Sequence, residues 1–278
     1  MSKDSVFCIA PWVSLYQHPT GMISPCCVFQ SESGFGNIRD ASLSKIYDSD
    51  TVKNFKKKML NGEVQSECSS CYHLDKTIDR SSRQYFNELF KDDYHLIEND
   101  NTNFKYWDLR ISNLCNLKCR MCGPEYSSSW YSDGKALGFN PSDRVLEIDD
   151  SKLWLELEEY YESVTHIYFA GGEPLIMDAH YKILNELIKR NRFDVHLSYN
   201  TNFSNLSYKG SHIFDYWSKF PNITLGISID GIGELGEYIR KGMNYDKMVS
   251  NLTELMNFQT KNKNLIVNYH YAYGIYNY

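Results

Sequence analysis

The stretch WDLRISNLCNLKCRMC, residues 107–122, begins as a strand and ends as a metal-binding loop. Trp107, Leu109 and Ile111 alternate with Asp108, Arg110 and Ser112, so one face is apolar and the other polar. Cys115, Cys119 and Cys122 follow directly in a C-x3-C-x2-C spacing. A cubane of four irons takes one ligand per iron, so three thiolates leave one iron open, as a catalytic zinc keeps one position open. An open iron invites a substrate or cofactor. A zinc knuckle would pair a C-x2-C with a second, distant pair, and nothing near residue 122 supplies a fourth ligand.

From about residue 104 onward, short strand-like runs alternate with amphipathic helical runs, the pattern of parallel strands joined by crossover helices. Five strands are expected. After the first, residues 164–170 set Ile167 and Phe169 against His166, Tyr168 and Ala170. In the third, Val195, Leu197 and Tyr199 oppose His196, Ser198 and Asn200. In the fourth, Ile223, Leu225, Ile227 and Ile229 oppose Thr224, Gly226, Ser228 and Asp230; in the fifth, Val267 and Tyr269 oppose Asn268 and His270. A parallel sheet covered on both faces reads as a continuous apolar run, so a recurring polar face implies a curved sheet around a ligand cavity. Ile183, Leu184, Leu187 and Ile188 form one helical stripe, and Met248, Val249, Leu252, Leu255 and Met256 another, both expected to cover the outside. Ligands of α/β barrels sit at the carboxyl ends of strands, where the cysteine loop also lies.

Other chemistry falls at the same strand ends. Gly171 and Gly172 let backbone approach a ligand, Glu173 and Pro174 follow, and Glu173 can accept from an ammonium group. Asn200 ends the third strand. Ser228 and Asp230 share a face of the fourth and can present a hydroxyl and a carboxylate, although Asp230 also fits a plain turn. Arg240 follows and can grip a carboxylate bidentately.

On these motifs the chain resembles the radical S-adenosylmethionine (radical SAM) superfamily, whose cluster signature is this cysteine spacing after the first barrel strand. The resemblance implies a four-iron cluster on Cys115, Cys119 and Cys122. It also implies S-adenosylmethionine held by Gly171, Gly172, Glu173 and Pro174 at its amino group, with Ser228, Asp230 and Arg240 at its ribose and methionyl parts and Asn200 contacting either the cofactor or the substrate. The chemistry it implies is reductive cleavage to a 5'-deoxyadenosyl radical that abstracts hydrogen from a substrate. Met121 stands where the family often has an aromatic residue beside the adenine, and its polarizable thioether can still contact a ring. The sequence ends at Tyr278, near strand five, whereas the family's partial barrel has six strands; the expectation is a missing final unit with an exposed edge.

Five further cysteines, Cys8, Cys26, Cys27, Cys68 and Cys71, lie in the first 71 residues. Gly21 to Cys26, Gly36-Asn37-Ile38, a helical run from Leu43 to Tyr47 and the final C-x2-C together resemble a SPASM/twitch auxiliary-cluster domain, with the shorter twitch form fitting better. In the family this domain follows the barrel; here it precedes it. The resemblance implies an auxiliary four-iron cluster on Cys8, Cys26, Cys68 and Cys71, with Cys27 spare or exchanging roles with Cys26, while spacing alone leaves a four-cysteine zinc site open. The organisation expected is an auxiliary iron-sulfur domain over 1–75, a linker over 76–103 and a partial (β/α) barrel over 104–278, in the α/β class.

The net charge of -6 and pI near 5.8 argue against a general nucleic-acid or membrane binder. No signal peptide or run of 18 apolar residues is present, which points to the cytoplasm, where eight cysteines in two groups read as metal ligands rather than disulfides. Lys56, Lys57 and Lys58 read as a solvated helix face. The resemblance implies an electron donor such as flavodoxin or ferredoxin and favours a peptide or protein side chain as substrate. A small molecule such as a carbohydrate or nucleotide, and a non-catalytic metal-stabilised binding module, are the other readings.

Overall fold

The computed structural model describes residues 6–77, 80–139, 144–146 and 150–277, with backbone alone for 150–152. Tyr278 lies outside them. The chain divides into two compact units, residues 1–108 with 149–164, and residues 109–148 with 165–278.

The first unit holds strands β1 (Ser14–Gln17), β2 (Met22–Ser24), β3 (Gly36–Asn37) and all but the last residue of β4 (Tyr106–Leu109), in the order β4-β1-β2-β3. Neighbours β1 and β2, and β2 and β3, run antiparallel. Helices Leu43–Tyr47 and Asp50–Leu60 start at Ser42 and Ser49, whose side chains accept from Lys45 N and Val52 N. Their apolar sides close on a core with Trp12, Leu15 and Ile23 fully buried and an edge-to-face cluster of Phe29, Phe35, Phe55 and Tyr47.

Lys56 departs from the sequence expectation. Only 3% of it is exposed; its ammonium donates to Asp100 Oδ1 (3.2 Å) and Thr102 Oγ1 (2.9 Å) and lies 5.2 Å from the Trp12 ring centroid. The helix turns that one lysine inward, and its charge is tolerated because it is paired; Lys57 and Lys58 face solvent as expected. Residues 80–103, expected to be a linker, belong to the same unit: helix Ser82–Leu89 buries Arg83 and Phe86.

The second unit is built on β6 (His166–Phe169), β7 (His196–Thr201), β10 (Ile223–Ser228) and β12 (Leu265–His270). They lie in the order β12-β10-β7-β6 and are all parallel. Two small antiparallel ladders accompany them, β5 (Lys118–Cys119) with β11 (Arg240–Lys241), and β8 (Ser207–Tyr208) with β9 (Ser211–His212). The first expected strand is β4, ending at Leu109, whose carbonyl accepts from Ala170 N (3.4 Å). The mostly parallel sheet with crossover helices is that of a partial (β/α) barrel.

Alternation along β6 and β7 is as read: Ile167, Phe169, Leu197 and Tyr199 are buried, while His166, Tyr168, His196, Ser198 and Asn200 remain partly accessible. In β10 Ile223, Leu225 and Ile227 are buried and Thr224 and Ser228 partly accessible, but Gly226 is buried too, and beyond the strand Asp230 is buried while Ile229 is not. Helix Asp178–Lys189 buries Ile183, Leu184 and Leu187 completely. Helix Tyr245–Lys261 buries a narrower line than expected: Met248, Asn251 and Leu255 face inward, and Val249 and Met256 lie one step round the helix in solvent. Among the described residues no helix is long and apolar enough to cross a membrane.

Candidate active site and metal centre

In the second unit Cys115, Cys119 and Cys122 line one cleft of about 530 Å3, together with Met121, Gly171, Gly172, Asn200, Ser228 and Arg240. Local hydrogen bonds fix the cysteine loop. Asn113 donates to Pro124 O (2.8 Å) and accepts from Leu146 N (2.8 Å). Ser127 donates to Leu117 O (2.6 Å), Ser129 to Cys115 O (2.8 Å), and Trp130 Nε1 to Cys119 O (2.8 Å). The β5–β11 ladder pairs Cys119 with Arg240, and Arg120 N donates to Ile239 O (2.8 Å).

Gly171 and Gly172 turn with φ of +72° and +50°. A Cβ on Gly172 would stand 2.4 Å from Leu114 O and from Met177 Cε, and one on Gly171 2.8 Å from Arg110 Cβ. The diglycine therefore lets the turn lie directly against the cysteine loop. Glu173 N donates to Leu114 O (2.8 Å) at the same contact.

Glu173, Pro174 and Asp230 are buried and do not line the cleft. The Glu173 carboxylate accepts from Thr201 Oγ1 (2.6 Å), Asn202 N (2.6 Å) and Leu175 N (3.1 Å), which ties the diglycine turn to the end of β7. Burial pushes its carboxyl above the usual range, against these three donors. Asp230 pairs with Arg240 at 2.6 Å and accepts from Ala272 N (2.7 Å). Arg240 in turn donates toward Cys119 Sγ (3.8 Å).

Burial pushes the thiols of Cys115 and Cys119 up to about 12 and about 11 and raises that of Cys122. Glu173 and the neighbouring cysteines add to the rise at Cys115, whereas Arg240 opposes it at Cys119. Three buried thiols on one cleft suit a polynuclear cation centre, which binds by displacing their protons.

The first unit has its own cysteine cage. Cys8, Cys26, Cys68 and Cys71 line a small cavity with Phe29, Arg83 and Phe86, while Cys27 is exposed outside it. Burial raises all four thiols, Cys8 and Cys68 to about 12, and mutual repulsion contributes at Cys8, Cys26 and Cys68. Arg83 closes one side, donating to Asp75 Oδ2 (2.7 Å) and Phe7 O (3.1 Å). Four soft thiol donors around one enclosed space fit an iron-sulfur group. Among the described residues no three His, Cys, Asp or Glu side chains converge closely enough for a single metal ion.

A family model described as the radical SAM superfamily matches residues 109–272, more than half of the chain. The chain belongs to the radical SAM superfamily. A second model, SPASM, described as an iron-sulfur cluster-binding domain, matches residues 8–72 and contains all four cage cysteines. No curated protein matches. Among solved structures the radical SAM chain is similar to native anSMEcpe with bound AdoMet and Cp18Cys peptide (20% identity, 59% of this chain and 41% of that one, TM-score 0.37). It is also similar to SuiB of Streptococcus suis bound to S-adenosylmethionine (18% identity, 82% and 54%, TM-score 0.38). The chain thus spans about half or less of the length of these structures.

Among the cleft residues not named as site residues from the sequence are Arg110, Tyr126, Ser127, Thr201 and Asn202. Asn202 donates toward Cys115 Sγ (3.8 Å) and to Asn116 Oδ1 (3.1 Å). The Asn200-Thr201-Asn202 run and the Ser127-Ser128-Ser129-Trp130 run were visible signals; what they bond to was not.

Proposed function

We propose that the chain is a radical SAM enzyme in which Cys115, Cys119 and Cys122 hold a four-iron cluster beside bound S-adenosylmethionine. The observation that carries this is the convergence of those thiols with Gly171, Gly172, Asn200, Ser228 and Arg240 on one cleft. When bound, the cluster supplies the electron for reductive cleavage of S-adenosylmethionine and the hydrogen abstraction that follows.

Gly171 and Gly172 offer backbone to the methionyl amino group. Glu173 works one step behind them, fixing Thr201 and Asn202. Arg240, oriented by Asp230, is the partner for the methionyl carboxylate, and Asn200 and Ser228 face the ribose. Donors from Arg240 and Asn202 toward cluster sulfurs tune its potential. Met121, half exposed at the cleft, contacts the adenine. Cys8, Cys26, Cys68 and Cys71 hold an auxiliary iron-sulfur cluster, and the substrate is a peptide or protein side chain, as the SPASM resemblance favours.

The test is iron, sulfide and zinc content after anaerobic reconstitution, then 5'-deoxyadenosine formation with a strong reductant. Cys119→Ala is expected to abolish that product; substantial retained cleavage would overturn the assignment. Candidate peptides that lose hydrogen mass or gain a crosslink support the substrate class, and unchanged peptides beside a converted carbohydrate or nucleotide reject it. Iron without cleavage in the wild type would indicate a non-catalytic module.

A further inference from the structure

We propose that the outer face of the β5–β11 ribbon is the docking surface for a small acidic protein that carries one electron to the cluster behind it. This rests on the reading that Cys115, Cys119 and Cys122 hold that cluster. The transfer is a single electron from carrier to cluster; no bond forms or breaks.

The ribbon has two chemically different faces. Cys119 and Arg240 stand directly opposite one another, as do Lys118 and Lys241, and side chains of successive residues alternate in direction. Cys119 and Arg240 line the cleft. Lys118, Lys241 and, two residues beyond Lys118, Arg120 fall on the opposite face, where Arg120 and Lys241 are exposed. A cluster ligand is therefore separated from a cationic surface by one layer of backbone.

Folding alone does not account for this arrangement. Like charges directly opposite each other in an antiparallel pair are unfavourable. Asp133 relieves Lys118 at 2.5 Å, but no carboxylate among the described residues forms an ion pair with Arg120 or Lys241. The Arg120 guanidinium instead lies 3.8 Å from the Tyr238 ring centroid and donates to Tyr238 O (2.9 Å). That contact holds cation and ring in fixed positions. Tyr238, about half exposed, adds apolar surface beside the charges. The whole chain carries a net charge of -6, so an acidic carrier is repelled in general and attracted at this patch, which orients encounter toward the cluster.

The test compares anaerobically reconstituted wild type with R120E/K241E, using an acidic flavodoxin as the probe. Two quantities are read: the flavodoxin dissociation constant by calorimetry at low and high salt, and the rate at which the cluster's visible absorbance bleaches with reduced flavodoxin or with dithionite. The expected result is wild-type binding that weakens with salt, and binding and flavodoxin-driven bleaching weakened roughly tenfold or more in the variant, with dithionite-driven bleaching unchanged. Equal binding by both proteins, no binding by the wild type, or parallel loss of dithionite bleaching in a loaded variant each overturns the docking surface. If the reversed variant takes up no iron, R120Q/K241Q serves with the same expected direction. A wild type that takes up no iron at Cys115, Cys119 and Cys122 instead removes the underlying reading, and the docking surface with it.

Discussion

Gly172 joins the two halves of the cleft at a single backbone position. Its φ of +50° and the 2.4 Å that a Cβ would leave to Leu114 O mean that Gly172→Ala must both strain the turn and push the loop carrying Cys115. We expect a loss of about 1–3 kcal/mol, read as a lower melting temperature, together with poorer iron retention; an unchanged variant would show that the turn has room. His180 makes a different kind of prediction. Fully buried, with Nε2 on Tyr199 OH at 3.0 Å, its imidazole is held down to about 3 from 6.5 by desolvation. The unfolded chain takes up this proton first, so the stability His180 contributes is complete above pH 6.5 and drains away as pH falls toward about 3. A melting series from pH 7 to pH 5 should fall with a slope approaching about 1.4 kcal/mol per unit from this group, and His180→Gln should flatten it. Chemistry-bearing residues were legible one by one in the sequence, but their partners were not. Nothing in the string around Asp230 says that it pairs with Arg240 and Ala272 N, or that Glu173 has three donors of its own, because all of those contacts except the one from Leu175 join positions ten or more residues apart.

At the scale of elements, strands were easier to read than the ties between them. Period-two alternation in β7 and β10 is written in Leu197, Tyr199, Leu225 and Ile227, because one face of each is sealed. Helix Tyr245–Lys261 was less legible: five apolar residues suggested one broad stripe, yet Val249 and Met256 remain outside while the polar Asn251 turns in to donate to Phe203 O (2.8 Å). The cluster loop itself is neither helix nor extended sheet. It is held by the two-residue β5–β11 ladder and by serines 127 to 129, whose hydroxyls take the place of a longer ladder. Ser127→Ala removes a buried donor and leaves Leu117 O without its 2.6 Å partner. The expected cost is about 1–3 kcal/mol by chemical denaturation, with faster loss of iron to a chelator from the cleft site. A loop that keeps both stability and iron without that hydroxyl would mean the ladder alone suffices.

For the whole molecule, the division into two units assigns each cysteine set to its own part of the chain: Cys8, Cys26, Cys68 and Cys71 to the first, Cys115, Cys119 and Cys122 to the second. The sequence conveyed this grouping through spacing alone, but it placed residues 76–103 between the units, whereas Arg83 and Phe86 of that segment wall the first cage. A linker and a supporting helix have similar polar composition, and only burial tells them apart. The separation makes metal content additive by unit. Wild type should retain about eight irons after reconstitution, Cys68→Ala/Cys71→Ala about four, and Cys115→Ala/Cys119→Ala about four, since each cubane takes four. The cage variant should still form 5'-deoxyadenosine, because every cleft residue it needs lies in the second unit; the cleft variant should form none. If the cage variant loses one zinc and no iron, the first unit is a structural zinc module and the auxiliary cluster falls. If it loses all iron, the two sets do not load independently and the assignment of one centre to each unit fails.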